Sequence, residues 1–136
     1  CVRGKSIFNR LRYKFNMPNL DHLPIYFKNY QLIKYLYGRV RNFPKEHKYT
    51  IGNGILTLSW RCLDLIIEAN VLPNNKKYSK ISELSANFNK LKVRLRMAQE
   101  INLISAKQFA HIQTYYMKEM GEMIGGWLKW AFSKIK

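Results

Sequence analysis

The chain has 136 residues, with 24 Lys and Arg against 8 Asp and Glu and a formal charge of +16 at neutral pH. That length supports one hydrophobic core and excludes two ordinary domains, while so large a cationic excess repels itself unless an anion is nearby, so a polyanionic partner is expected rather than the substrate of a typical soluble enzyme. No apolar run approaches the roughly 18 residues of a membrane span, no signal-peptide stretch opens the sequence, and Cys1 and Cys62 fit neither a disulfide framework nor a zinc-ligand spacing, so a reducing, cytoplasmic setting away from membranes is expected.

Residues 1–22 carry Arg3, Lys5, Arg10, Arg12 and Lys14, with Asp21 the single acid. Asn16, Pro18 and Asn19 break any periodicity before the next element, so this stretch reads as a basic N-terminal extension that is disordered or loosely docked. Ile7, Phe8, Leu11 and Phe15 follow helical spacing, which keeps open a short amphipathic helix that docks on a partner or on nucleic acid.

Residues 23–136 are predicted to form one domain. Its first helix starts near Pro24, a residue suited to a first helical turn, and runs to about Phe43 before Pro44 stops it. Tyr26, Ile33, Leu36, Val40 and Phe43 make its apolar seam. Lys28, Lys34, Arg39 and Arg41 lie off that seam, where long stems cover apolar surface and the charged heads stay in water. Tyr26, Tyr30, Tyr35 and Tyr37 are more rings than one bundle face needs, and some are expected to meet another subunit or stack on bases.

A second helix begins between Lys45 and Tyr49 and continues to Val71, with Gly52, Ile55, Leu56, Ser59, Cys62, Leu63, Ile66 and Asn70 along one stripe. Gly52 and Gly54 each weaken a helix interior by about 1 kcal/mol relative to Ala, which points to a tight helix crossing or a later true start. Leu72-Pro73-Asn74-Asn75 is a turn short enough to bring the next helix back antiparallel.

The third helix, Tyr78 to Asn102, steps its apolar residues Ile81, Leu84, Phe88, Leu91, Leu95 and Ala98 in a heptad seam. Lys80, Lys90, Lys92, Arg94 and Arg96 sit between the seam positions, and no acid occurs between Ser85 and Gln99. Lys92 and Arg96 share one face a turn apart; Lys90 and Arg94 form a second ladder rotated from it. The ladders fit either a solvated face or one that meets an anion; an ordinary exposed helix alternates Glu with Lys, so the missing counter-charge favours a face that meets phosphate.

Leu103-Ile104-Ser105 connects to the fourth helix, with Ser105 as N-cap and Gln108 completing a capping box. This helix runs from Ala106 to about Ser133, with Phe109, Ile112, Tyr116, Met120, Met123, Trp127 and Trp130 as its buried stripe. Gly121 and Gly125 have the small-xxx-small spacing that admits a second backbone, within the bundle or across a subunit boundary. Four helices with short connections predict an all-α, up-down-up-down four-helix bundle.

Catalytic chemistry has little to work with. Asp64 with Glu68, and Glu119 with Glu122, are the spaced carboxylate pairs, but di-metal bundles use a Glu-x-x-His pattern that is missing here. His22, His47 and His111 are scattered, Ser, Cys and His form no nucleophilic signature, and no glycine-rich phosphate loop follows a strand. No catalytic residue, metal, cofactor or small-molecule substrate is therefore expected, which leaves binding.

Tyr35-Leu36-Tyr37-Gly38-Arg39-Val40 leading into Phe43-Pro44-Lys45, then Tyr49-Thr50-Ile51-Gly52, Leu65-Ile66-Ile67-Glu68-Ala69, Arg96-Met97-Ala98 and Met120-Gly121-Glu122-Met123-Ile124-Gly125-Gly126-Trp127-Leu128-Lys129 resemble, in order and spacing, the Avd family over roughly residues 23–131. These are the accessory variability proteins of diversity-generating retroelements, related to four-helix bundle proteins encoded by intervening sequences in bacterial 23S ribosomal RNA genes. The resemblance implies a non-catalytic homo-oligomer, typically a pentameric barrel, that binds the element's reverse transcriptase together with RNA or DNA during mutagenic cDNA synthesis and retrohoming.

On that basis Lys92 and Arg96 are the first candidates for the charged contact surface; Lys90 and Arg94 of the second ladder, and Arg39 and Arg41 off the seam of the first helix, are further candidates from the residue pattern alone. Gly121, Gly125, Gly126 and Trp127 match the ending motif and are candidates for packing and assembly. Asn53-Gly54 stands where the family commonly has Gln-Arg, and Glu122 where Arg is frequent. The alternative reading is an intervening-sequence type bundle that acts as a structural or protein-binding scaffold.

Overall fold

The computed structural model describes residues 23–135. The expectations for the basic extension, Cys1 and His22 lie outside those residues. Helix α1 spans Pro24–Val40 and begins with Pro at its first turn, where a missing N–H costs nothing. It ends sooner than the expected Phe43: Arg41, Asn42 and Phe43 bond back to Tyr37, Arg39 and Val40 as a tightening turn. Asn42 Nδ2 also donates to the Gly38 carbonyl at 3.2 Å. Phe43 still enters the core.

After Pro44 the chain re-enters helix as Lys45–His47, passes through a π-helical turn at Lys48–Gly52, and continues as Asn53–Val71; this run is α2. Thr50 feeds its hydroxyl to the carbonyls of Glu46 and His47 at 3.1 and 3.3 Å, a back-bond that loosens the regular ladder. Of the two glycines, Gly52 is the tight crossing. A Cβ there would stand 2.8 Å from Val40 Cγ1, whereas at Gly54 the nearest atom is Arg94 Nε at 3.8 Å.

A short 3-10 turn, Asn74–Lys76, leads into α3, Lys77–Glu100. Its first residue does structural work that the spacing does not announce. Buried Lys77 donates from Nζ to the Ala69 and Asn70 carbonyls at 2.7 and 2.9 Å, closing the C-terminal end of α2 where cations are favoured. Burial pushes the pKa of this ammonium down. At its far end α3 stops two residues before the expected Asn102. Asn102 takes a left-handed φ of 66°, Leu103 N–H reaches Ala98 O at 2.8 Å and Asn102 N–H reaches Gln99 O at 3.1 Å, a Schellman closure with Asn in the glycine position.

Helix α4 comprises Ala106–Ile112, a π-helical turn at Gln113–Met117, and Lys118–Phe132. The capping box is present: Gln108 N–H donates to Ser105 Oγ at 3.0 Å, and Ser105 N–H to Gln108 Oε1 at 2.9 Å. The π turn shifts the buried register by one residue. From its last residue onward Met117, Met120, Ile124 and Ala131 are buried, Met123 and Trp127 only partly so, and Trp130 is exposed. The expected stripe through Met123, Trp127 and Trp130 is corrected accordingly.

Helix α2 packs against α1 and α3, α3 against α4, and α4 closes on α1. With short connections this is an antiparallel four-helix bundle, and no strand occurs among the described residues. Every seam residue expected on α1 and α3 is buried. Burial contributes about 1.5–3 kcal/mol for each large aliphatic side chain, so Leu32, Leu36, Leu84, Leu91 and Leu95 carry a large share of the fold. Asn29 is a polar exception at the α1–α2 seam, donating from Nδ2 to the Ser59 carbonyl at 3.2 Å while its Oδ1 stays buried without a partner. No described helix is long and apolar enough to cross a membrane.

Candidate nucleic-acid interface

The seam of α3 fixes where its cations go. With Leu91, Leu95 and Ala98 turned inward, Lys90, Lys92, Arg94 and Arg96 are all exposed. The two ladders flank the outer face of the helix on opposite sides. Arg94 Nε lies 3.8 Å from where a Cβ would stand on Gly54, so Lys90 and Arg94 border α2. Lys92 Nζ sits 5.4 Å from the Phe88 ring, and that ring lies 3.5 Å from a Cβ position on Gly121, so Lys92 and Arg96 border α4. Val93 and Met97 are exposed between the ladders.

Acids gather elsewhere. Arg61 pairs with Glu83 at 2.9 Å and Glu68 at 3.7 Å, and Lys80 pairs with Glu68 at 3.3 Å, toward the end of the α2–α3 groove away from the ladders. Lys28 pairs with Glu119 at 3.2 Å across α1 and α4. Lys90, Lys92 and Arg94 have no acidic partner among the described residues. Arg96 has one, Glu100 at 3.1 Å, a solvent-exposed i, i+4 pair of the kind that contributes about 0.5 kcal/mol or less. A phosphate need displace only that weak contact.

Arg39 and Arg41, adjacent in the sequence pattern, part company in space. Arg39 turns toward α4, its guanidinium 5.5 Å from the Tyr35 ring. Tyr35 in turn lies 5.0 Å from His111 and 5.7 Å from Tyr116. Arg39 Nε is buried without a hydrogen-bond partner. In this cluster burial, then the neighbouring Tyr35 and Tyr115, push the Tyr116 hydroxyl's pKa up. Arg41 faces α2 instead, where it lines a cleft with Lys48.

The glycines of the ending motif divide similarly. Gly121 gives the Phe88 ring room within the bundle, while Gly125 and Gly126 are exposed with no atom within 4 Å of a Cβ position. Trp127 is half-buried and bridges the main core to a small cluster of Ala69, Ile81 and Ala131. Among the described residues no group of three His, Cys, Asp or Glu side chains lies together as a metal site would require. Cys62 is fully buried, as expected of a small core residue, and burial raises its thiol pKa to about 12 against the lowering effect of Arg61.

A family model described as bAvd-like matches residues 24–131. The chain belongs to the bAvd-like family. Its matched segment runs from the first turn of α1 to the last turn of α4. No curated protein and no solved structure matches the chain significantly. As a bAvd-like protein it is an Avd-type accessory protein, from a family of non-catalytic accessory proteins.

Some residues of this surface escape a reading by spacing. Lys48 and Tyr49 meet the end of α1 from within a π turn, and His111 joins Tyr35 across two helices. Thr50 ahead of a tight Gly52 is the one local signal of the first.

Proposed function

We propose that this bAvd-like chain is the non-catalytic accessory subunit of a diversity-generating retroelement, assembling as a homo-oligomeric ring and binding RNA or DNA together with a reverse transcriptase during mutagenic retrohoming. The observation that carries this reading is the outer face of α3, where Lys90, Lys92 and Arg94 have no acidic partner among the described residues and Arg96 has only an exposed one. Cations on a convex helix reach phosphates more readily than base edges, so the binding is backbone-directed, weakly sequence-specific and salt-dependent. One bundle offers a narrow strip of charge; repeated around a ring, the strip becomes a continuous basic surface. Gly125 and Gly126, unoccupied by any neighbour within the bundle, supply a place for a second subunit's backbone.

The test is anisotropy with a labelled RNA and a pull-down of the cognate reverse transcriptase, comparing the wild type with Lys92→Ala/Arg96→Ala. The double variant is expected to keep its helicity and to lose about ten-fold or more in affinity when salt is low. Affinity that stays flat from low to high salt would sink the phosphate-contact mechanism, and unchanged binding by the variant would exclude the chosen face. Assembly is read by light scattering, where Gly125→Leu/Gly126→Leu is expected to convert the oligomer to monomer.

A further inference from the structure

The second cation pair, Arg41 and Lys48, lies in a setting unlike the α3 ladders. The end of α1 and the π turn that opens α2 enclose a cleft of about 290 Å3. Its walls are apolar and aromatic, from Tyr37, Val40, Tyr49 and Leu56; Arg41, Lys48 and Asn53 supply the polar edge. No acid lines it among the described residues. Tyr37 and Tyr49 remain 48% and 70% exposed, far more than bundle packing requires. The Trp60 indole N–H donates to the Tyr37 hydroxyl at 2.9 Å, which orients the Tyr37 ring at the cleft wall.

We propose that this cleft holds one unstacked nucleotide of a single-stranded nucleic acid, the base against Tyr37, Tyr49 and Leu56 and its phosphate on Arg41 and Lys48. A bare phosphate site has no use for apolar and aromatic walls, and an apolar ligand has no use for two cations without an acidic partner among the described residues; a nucleotide needs both. Base stacking on exposed tyrosine tolerates any sequence because every base has a π-face. Asn53 offers a donor and an acceptor to a base edge. Ligand pockets for drug-sized molecules start at about 300 Å3, so this volume suits one nucleotide and not a string of them. Duplexes keep their bases stacked and present base edges, 2′-hydroxyls and phosphates but no free base face, so they cannot use the walls.

The geometry depends on Gly52. Because a Cβ there would stand 2.8 Å from Val40 and 3.3 Å from Phe43, the start of α2 lies close on the end of α1, and the π turn then directs Lys48 and Tyr49 to the same opening as Arg41. The inference rests on the nucleic-acid reading above but not on α3.

The experiment uses the full chain and two probes of about ten nucleotides, oligouridylate and oligodeoxythymidylate, beside a duplex RNA of similar length. Tyr37→Leu/Tyr49→Leu is expected to bind both single strands about ten-fold or more weakly while binding the duplex as the wild type does. Lys92→Ala/Arg96→Ala is expected to weaken all three probes together. Single-strand affinity unchanged in a Tyr37→Leu/Tyr49→Leu protein of wild-type helicity overturns the cleft and leaves the α3 reading standing. Equal loss on duplex and single strand also overturns it, because stacking is then not what the tyrosines provide. A wild type that binds none of the probes at low salt removes both readings at once.

Discussion

Two glycines two positions apart have opposite consequences for stability. Ala at Gly52 gains up to about 1 kcal/mol of helix propensity, but its Cβ meets Val40 Cγ1 at 2.8 Å and the Phe43 ring and His47 carbonyl at 3.3 Å. Val40 is β-branched and cannot rotate away, so overpacking of about 1–3 kcal/mol wins. Gly54→Ala meets only the flexible end of Arg94 at 3.8 Å and keeps the propensity gain. Chemical denaturation should therefore show Gly52→Ala less stable than wild type and Gly54→Ala more stable. Equal effects at the two positions would contradict the crossing geometry.

Cys62 gives a pH-dependent counterpart. An unfolded thiol ionises near its ordinary value of 9.0, while the buried one stays protonated to about 12. Between those values the folded state binds more protons than the unfolded state, so the stability contributed by the thiol is fully present below pH 9 and is lost as pH rises toward 12. Cys62→Ala lacks that dependence. The stability gap between wild type and Cys62→Ala should narrow steadily above pH 9, and native Cys62 should resist alkylation at neutral pH.

At the scale of elements, the π turns decide what periodicity could reveal. The seams of α1 and α3 follow a regular helix and were legible residue by residue, as were the Pro24 start and the Ser105–Gln108 cap. In α4 the spacing holds at Ile112 and Met120, whereas Phe109, Tyr116, Met123 and Trp127 are only partly buried and Trp130 is exposed. The turn Gln113–Met117 absorbs one extra residue, after which Ile124 and Ala131 take the places that an unbroken helix would give Met123 and Trp130. A heptad count has no means of seeing that insertion. The same limit hid the α1–α2 cleft, since Lys48 and Tyr49 reach it through a π turn. By contrast the α3 ladders needed only the seam beneath them, and their exposure follows from it.

The register shift is testable by deletion. Removing exposed Thr114 takes out the extra residue, so the turn can close as α-helix while Met117, Met120, Ile124 and Ala131 stay on the core face. Its cost is expected to be within about 1 kcal/mol, the scale of a change confined to the surface. Removing exposed Glu122 instead rotates everything after it by about 100°, turning Ile124 and Ala131 out of the core. That loss belongs with large core truncations at about 2–5 kcal/mol. Equal melting temperatures for the two deletions would mean that the π turn does not set the register.

For the whole molecule, antiparallel packing sorts the charges by end. The close of α1, the start of α2, the close of α3 and the start of α4 meet at one end, as Arg94 beside Gly54 and the shared α1–α2 cleft attest. Arg39, Arg41, Lys45, Lys48, Lys90, Lys92, Arg94, Arg96 and Lys107 all belong to those segments, with Glu46 and Glu100 their acids. The opposite half holds Lys28, Arg61, Lys76, Lys77, Lys80, Lys118, Lys129 and Lys134, but also Asp64, Glu68, Glu83, Glu119 and Glu122, so its cations are largely offset. An extended polyanion should therefore be drawn to one end of the bundle, and the salt dependence of binding should report which cations it covers. Each phosphate contact contributes about 0.7 to the log–log slope for a single strand. Arg41→Ala/Lys48→Ala/Arg94→Ala should lower the slope by about 2, whereas Lys76→Ala/Lys129→Ala/Lys134→Ala removes the same formal charge and should leave it nearly unchanged. Equal reductions by the two triple variants would mean that net charge alone attracts the nucleic acid and that the end-to-end separation of charge has no role in binding.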